Sequence, residues 1–390
     1  MELNGFTEIL GTLFYGCDEE IVQTWNELGD GNREEFLKVC KREGTMPFVY
    51  RKLYDAGLRE GLEELGAQNV RQNAFAIGNQ MKLESLYAFL DGHGVRYAPI
   101  KGIDLAFRIY PSPALRTFCD WDILFHDEDF FNAVQLLLDN GWTTNGTILN
   151  NSLPEHFHSS ILHKDGISLE PHWMLPGFDG ATPKHVWRFI HPVKVGGCRH
   201  LLEPALNMLL LTRHASRGFY TVMPLSRMLL DAAFIMQSDG FDWKRCREVS
   251  DELGLPCSAD LIASFHEYFP KSLRDQMQAD DERSDAYRKL FEQRDKMAPR
   301  SNRDNLVFNS SNHFSLGWIW TKIKAKCSSR HIRKVHHLPP NGQHLKVIAY
   351  MISAFFCNAM HGIGFLLRRD SSVQNYADLL KKAEGTYGIK

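Results

Sequence analysis

Asp120 and Asp122 stand two residues apart in the apolar run Cys119-Asp120-Trp121-Asp122-Ile123-Leu124-Phe125. On a β-strand, residues i and i+2 share a face, so both carboxylates would project together. Like charges this close repel unless a cation lies between them, and paired carboxylates suit a hard ion such as Mg²⁺, with Mn²⁺ as the alternative. Upstream, Lys101-Gly102 follows an apolar stretch, and a residue without a Cβ lets the backbone approach a phosphate closely. Lys101 and Arg116 are available cations. Glu170, in Ile167-Ser168-Leu169-Glu170-Pro171-His172-Trp173, is a candidate third carboxylate. Carboxylates for a divalent ion, a close backbone approach and a cation for developing charge are what nucleotidyl transfer from an NTP requires.

Several other residues have plainer readings. His156, His158 and His163 include a His-x-His pair, but no cysteine or further ligand stands at a structural zinc spacing, so hydrogen-bonded or exposed imidazoles are expected. His172 and Trp173 are expected to pack beside the site. His214 and Asp231 lie in apolar helical sequence and read as satisfied core groups, with a substrate-facing role for His214 as the alternative. Arg116, four residues before Asp120, could instead be its structural ion-pair partner. Cys119 alternates away from Asp120 and is expected to be inert. Phosphate-loop, dinucleotide-fingerprint and nucleophile-elbow motifs do not occur in the sequence.

These residues need a strand for the aspartates, a turn for Lys101-Gly102 and a second strand for Glu170. The sequence provides for all three. Val95 to Ile100 reads as a strand, Leu105 to Tyr110 as a short helix closed by Pro111-Ser112-Pro113, Asp120 to Phe125 as a strand and Asp127 to Asn140 as a helix. Residues 157–163 and 166–170 read as a hairpin joined by Lys164-Asp165-Gly166. Because proline cannot donate to a ladder, Pro171 predicts that this strand ends there or lies at an edge. Helical periodicity covers residues 1–90, including a long helix from about Gln68 to Leu90, and returns from Pro204 to Gln237. The charged stretch 275–305 reads as an exposed helix or a linker. The expected fold is α+β, a small mixed sheet within a mostly helical protein. Its regions are 1–90 (helical), 91–178 (transferase-like core), 179–300 (helical) and 301–390 (basic and apolar).

The order Lys-Gly, short helix, Arg-x-x-x-Asp-x-Asp-Ile-Leu, then a hairpin ending in acid-x-His-Trp resembles the uncharacterised nucleotidyltransferase family of the DNA polymerase β-like superfamily. Here it is carried by Lys101-Gly102, Tyr110, Leu115-Arg116, Asp120-Trp121-Asp122-Ile123-Leu124, Gly141-Trp142 and Glu170-Pro171-His172-Trp173, with lesser matches at Leu209-Leu210-Leu211, His214 and Leu230-Asp231. The resemblance implies that Gly102 forms the phosphate turn, that Asp120 and Asp122 bind the metal and that Glu170 completes the site. It also implies a role in natural-product or polysaccharide biosynthesis. Ile103 replaces the serine common in the superfamily, which keeps open a non-catalytic nucleotide sensor or partner-binding protein. A phosphotransferase is the third reading.

With 390 residues, 44% apolar and 24% charged, the composition is that of an ordinary globular protein. A net charge of -2 gives no general attraction to nucleic acid or anionic lipid, which favours a small-molecule or peptide acceptor. The basic run Lys322 to His337, preceded by Trp318 and Trp320, leaves RNA or protein acceptors open. With the apolar stretch Leu345 to Leu367 it also leaves open peripheral membrane contact through 318–367. Eight cysteines without a CxxC pair and no signal-like N-terminus point to a reducing, cytoplasmic setting. The oligomeric state is not legible.

Overall fold

The computed structural model describes residues 3–60, 62–144, 158–178, 180–217 and 224–294, with isolated positions between 348 and 383. Four helices come first: α1 (Leu3–Tyr15), α2 (Asp18–Glu27), α3 (Asp30–Glu43) and α4 (Met46–Asp55). Local chemistry sets their ends. The Cys17 amide donates to Glu20 Oε2 at 2.9 Å and three acids fill the first turn of α2, where the helix dipole favours negative charge. Gly44 ends α3 at φ 74, a left-handed conformation that glycine takes without steric cost.

The long helix α5 (Glu63–Gly92) contains the expected 68–90 segment and leads into β1 (Tyr97–Pro99). The helix α6 (Lys101–Asp104) continues as one π turn over Leu105–Ile109, where an ordinary short helix is expected from sequence. The Tyr110 amide bonds the Leu105 carbonyl at 2.9 Å, and Pro111 follows, so the widened turn closes the segment. Next come β2 (Trp121–Phe125), α7 (Phe130–Asp139), β3 (Leu162–Lys164) and β4 (Ile167–His172). Asp165 and Gly166, at φ 49 and 76, make the tight hairpin turn that the Asp-Gly pair predicts. The rest comprises α8 (Pro183–Val186), β5 (Ile190–Pro192), β6 (His200–Leu202), α9 (Pro204–Arg217), α10 (Leu225–Met236), α11 (Trp243–Leu253), α12 (Ser258–Ala263), α13 (Lys271–Met277) and α14 (Asp281–Arg294).

The main sheet has the order β1-β2-β4-β3, and β5 pairs with β6 in a separate ribbon. β2 runs antiparallel to β1 and parallel to β4, while β3 and β4 form the hairpin. The fold is therefore α+β, as expected. β4 runs one residue past Pro171, to His172, and pairs Ile123 with Pro171. β3 pairs no further than Leu169, so Pro171 lies at a local edge, the second of the two expectations. The Pro171 carbonyl accepts from the Ser159 amide, so its nitrogen faces the side where β3 has already stopped, and no ladder donor is lost. The 275–305 stretch is not simply exposed, because Ala286, Tyr287, Leu290 and Phe291 of α14 are buried.

A large core joins apolar residues of α1–α4 with those of α9–α14, and a smaller one lies between the sheet, α5 and α7. Among the described residues no helix is long and apolar enough to cross a membrane. The basic run 322–337, and all of 345–367 except Ile348, Tyr350 and Ile352, lie outside the described residues.

Candidate active site

All five residues of β2 are buried, so Asp122 is an acid placed inside a core strand. The parallel register sets Asp122 directly opposite Glu170, and alternation along β4 brings His172 to the same face. The His172 Nε2 lies 2.8 Å from Asp122 Oδ1 and 3.1 Å from Glu170 Oε2. Lys101 Nζ donates to Asp122 Oδ1 at 2.8 Å and stands 3.6 Å from Glu170 Oε2. His158 Nε2 lies 3.4 Å from the other oxygen of Glu170. The structure thus brings together Lys101, Asp122 and Glu170 from three distant parts of the chain. Asp120 is exposed in the bend just before β2, two residues from Asp122.

Burial would raise the Asp122 carboxyl, but the hydrogen bond from His172 and the charge of Lys101 hold it well below the usual carboxylate range. Glu170 is likewise lowered, against its burial, by His172 and Lys101. Asp120 moves the other way, raised by burial and by the charges of Asp122 and Glu170. Burial would lower Lys101, yet Asp122 and Glu170 raise it above an ordinary lysine. This is a site with excess negative charge, where one ammonium group is shared by two carboxylates.

Asp122, Glu170 and His172 each offer a ligand atom within 4.8 Å of the others. The donor chemistry separates their roles. His172 is fully buried and its Nδ1 has no hydrogen-bond partner among the described residues. Coordination through Nε2 would place an unpaired N–H at Nδ1, whereas the Nε2–H tautomer leaves only an acceptor lone pair there. The oxygens of Asp122 and Glu170 therefore suit a hard divalent cation, and His172 fits a residue that orients those two carboxylates.

Lys101 starts α6 at φ 54, an uncommon conformation for a residue with a side chain, and such strain concentrates at functional sites. The Ile100 amide donates to the Asp122 carbonyl at 3.0 Å, so the turn is clamped to the carboxylate strand. A Cβ on Gly102 would stand 3.0 Å from Phe118 Cβ and 3.6 Å from Arg116 Nη1, which makes the position tight. Arg116 is not paired with Asp120, the partner its spacing suggests. Its Nε and Nη2 donate to Asp231 at 2.8 and 2.9 Å, and Tyr110 adds a third bond to the same carboxylate at 2.7 Å. Asp231 is thus the satisfied core group the sequence predicts, and Arg116 ties the segment before β2 to α10.

Asn207 Nδ2 donates to Asp104 Oδ2 at 2.9 Å, which fixes α9 against α6. Seven residues on, along the same face of α9, His214 is exposed while Arg213 and Ala215 beside it are buried. The crowding of protein around the ring, with the Lys101 charge, pushes its pKa down to about 4. His214 is therefore not the satisfied core group its apolar helix suggests but an exposed imidazole kept neutral within the field of the site. His172 packs beside the site, as expected, but its bonds to both carboxylates were not read from the sequence. The i, i+2 rule applied to the aspartates would have put it on the same face of its strand as Glu170, two residues along.

A family model described as an uncharacterised nucleotidyltransferase matches residues 30–270. That span includes every residue of the site. The chain belongs to this family. No curated protein and no solved structure matches it. Family membership makes the protein a transferase of the nucleotidyltransferase type, and Asp122, Glu170 and His172 form a cluster that could hold a metal ion.

Proposed function

We propose that the protein transfers a nucleotidyl group from an NTP, with ATP the first to test, to an acceptor hydroxyl on a small molecule or peptide. The observation that carries this reading is the convergence of Asp122, Glu170 and Lys101 beside the Lys101-Gly102 turn. Asp120, Asp122 and Glu170 would hold Mg²⁺, or Mn²⁺ in its place. The ion would draw charge from the triphosphate and stabilise the leaving pyrophosphate.

The protein's own residues have separate tasks. Lys101, now shared by two carboxylates, is freed toward the phosphates once a cation takes over that negative charge. Gly102, with no room for a Cβ beside Phe118, lets the Lys101 turn pack against the segment before β2. His172 keeps Asp122 and Glu170 in one orientation, and Glu170, the less buried of the two, positions the acceptor hydroxyl. Arg116 supports the site from behind through Asp231, because a guanidinium already saturated by a buried carboxylate has little left for a nucleotide.

Incubation with Mg²⁺ and ATP labelled at the α-phosphate tests the reaction. The expected outcome is release of pyrophosphate with the label transferred to the acceptor, and a roughly 100- to 1,000-fold loss in Asp122→Asn, the size typical for removing one electrostatic stabiliser. Release of ADP instead would mean phosphoryl transfer. Tight nucleotide binding with no product would support the sensor reading.

A further inference from the structure

The residues Ala67, Val70, Ala74, Ile77 and Met81 of α5 recur at alternating spacings of three and four. That is the spacing of a coiled-coil seam, which places all five on one face of the helix. In a surface helix such a seam should face the core. Here all five are exposed, with Val70 at 68%, Ile77 at 62% and Met81 at 69%. The helix around them is also unlike a solvated one: between Gly66 and Met81, Arg71 is the only charged residue. The apolar residues of α5 that do face the protein, Ala76, Leu83, Leu86 and Leu90, form a separate buried stripe.

We propose that this seam is a self-association surface on which α5 of a second copy of the chain packs antiparallel, with the two-fold axis passing at Ala74. The residue sizes favour that arrangement. An antiparallel pair centred on Ala74 sets each Ala67 against the partner's Met81, and each Val70 within about one residue's rise of the partner's Ile77. Small faces large in the outer Ala67–Met81 layers, the β-branched Val70 and Ile77 meet in the next, and two central alanines let the helices approach. Gly78, beside the seam, has nothing within 4 Å of where a Cβ would stand, so the approach is unobstructed there. Charge points the same way. A parallel pair would set the two Arg71 side chains against each other, whereas the antiparallel pair separates them along the axis and confines like-charge opposition to Glu64 and Glu84 at the two ends, outside the five-residue seam. A two-fold pair of identical patches is also the commonest way for one chain to cover such a face. The seam is two heptads long, about 22 Å. Its interface therefore sits near the lower limit of roughly 1,000 Å² for specific association, and the dimer is concentration-dependent.

The test uses the full chain. Sedimentation equilibrium over about 1 to 100 µM is expected to show a monomer–dimer equilibrium, shifted to monomer at least tenfold by Ile77→Glu with no change in circular dichroism. Under mild oxidation, Ala74→Cys is expected to give a covalent dimer in several-fold higher yield than Val70→Cys or the parent chain, whose Cys17 and Cys119 are exposed and set the background. A monomer throughout the range would overturn the proposal and assign the seam to another segment of the chain or to a different protein. A dimer that survives Ile77→Glu would overturn it as well. Equal crosslinking through Val70→Cys would overturn the antiparallel arrangement. None of these outcomes depends on the transfer reaction.

Discussion

Asp231 receives three hydrogen bonds, two from Arg116 and one from Tyr110, in a place where all three side chains are buried. Removing the carboxylate strands a guanidinium without compensation. Asp231→Ala is expected to lower stability by about 3–5 kcal/mol, read from a urea melt, and a loss below about 1 kcal/mol would show that the pair contributes little. His214 gives a pH signature. An unfolded histidine titrates near pH 6.5 and the folded one at about 4. Between those values the folded chain holds fewer protons than the unfolded chain, so acidification in that window costs stability, and above it there is no such penalty. His214→Gln should therefore gain stability relative to the parent as pH falls from about 6.5 to 4; a difference that stays flat across the window would contradict the assignment. The legible residues were those that follow local rules, Asp122 on its strand and Lys101 with Gly102, while Asp120, read into the same strand, stands in the bend before it. The Arg116 partner lies 115 residues away, and no local pattern encodes it.

Among the elements, β2 and β4 matter most, because their register alone sets Asp122 opposite Glu170. Alternation and the Asp165-Gly166 turn made both strands readable. Pro171 left strand end and edge both open, because a proline is harmful only where its missing N–H faces a neighbour, and which side that is depends on where β3 ends. The consequence is testable. Since no ladder bond is lost at Pro171, restoring an N–H gains nothing, and the variant loses only proline's restriction of the unfolded chain. Pro171→Ala is expected to lower stability by about 0.4–1 kcal/mol with the transferase activity intact. A gain in stability on thermal unfolding would show that the proline does cost a hydrogen bond. The π turn after α6 was not readable, since its i to i−5 bond depends on how Tyr110 is anchored to Asp231 rather than on local propensity.

At the scale of the whole molecule, the site is a junction between two cores. Glu43 Oε2 accepts from the Ser226 amide at 2.7 Å, and Thr117 Oγ1 donates to the Gly44 carbonyl at 2.9 Å, so α3, α10 and the segment before β2 are held together by buried polar contacts. α9 is fixed at Asn207 to Asp104 and at Arg213 to the Gly177 carbonyl, which brings His214 beside the sheet. Composition and periodicity could supply the helices, but only the three-dimensional packing shows that the N-terminal and later helices share one core. The central claim is that three carboxylates and Lys101 form a cation-dependent nucleotide site. Calorimetric titration of ATP into the full chain, with and without Mg²⁺, tests it most directly. The account predicts saturable, Mg²⁺-dependent binding that weakens at least tenfold in Asp122→Asn, a change of about 1.4 kcal/mol. No binding with either Mg²⁺ or Mn²⁺, or equal affinity in the variant, would contradict it.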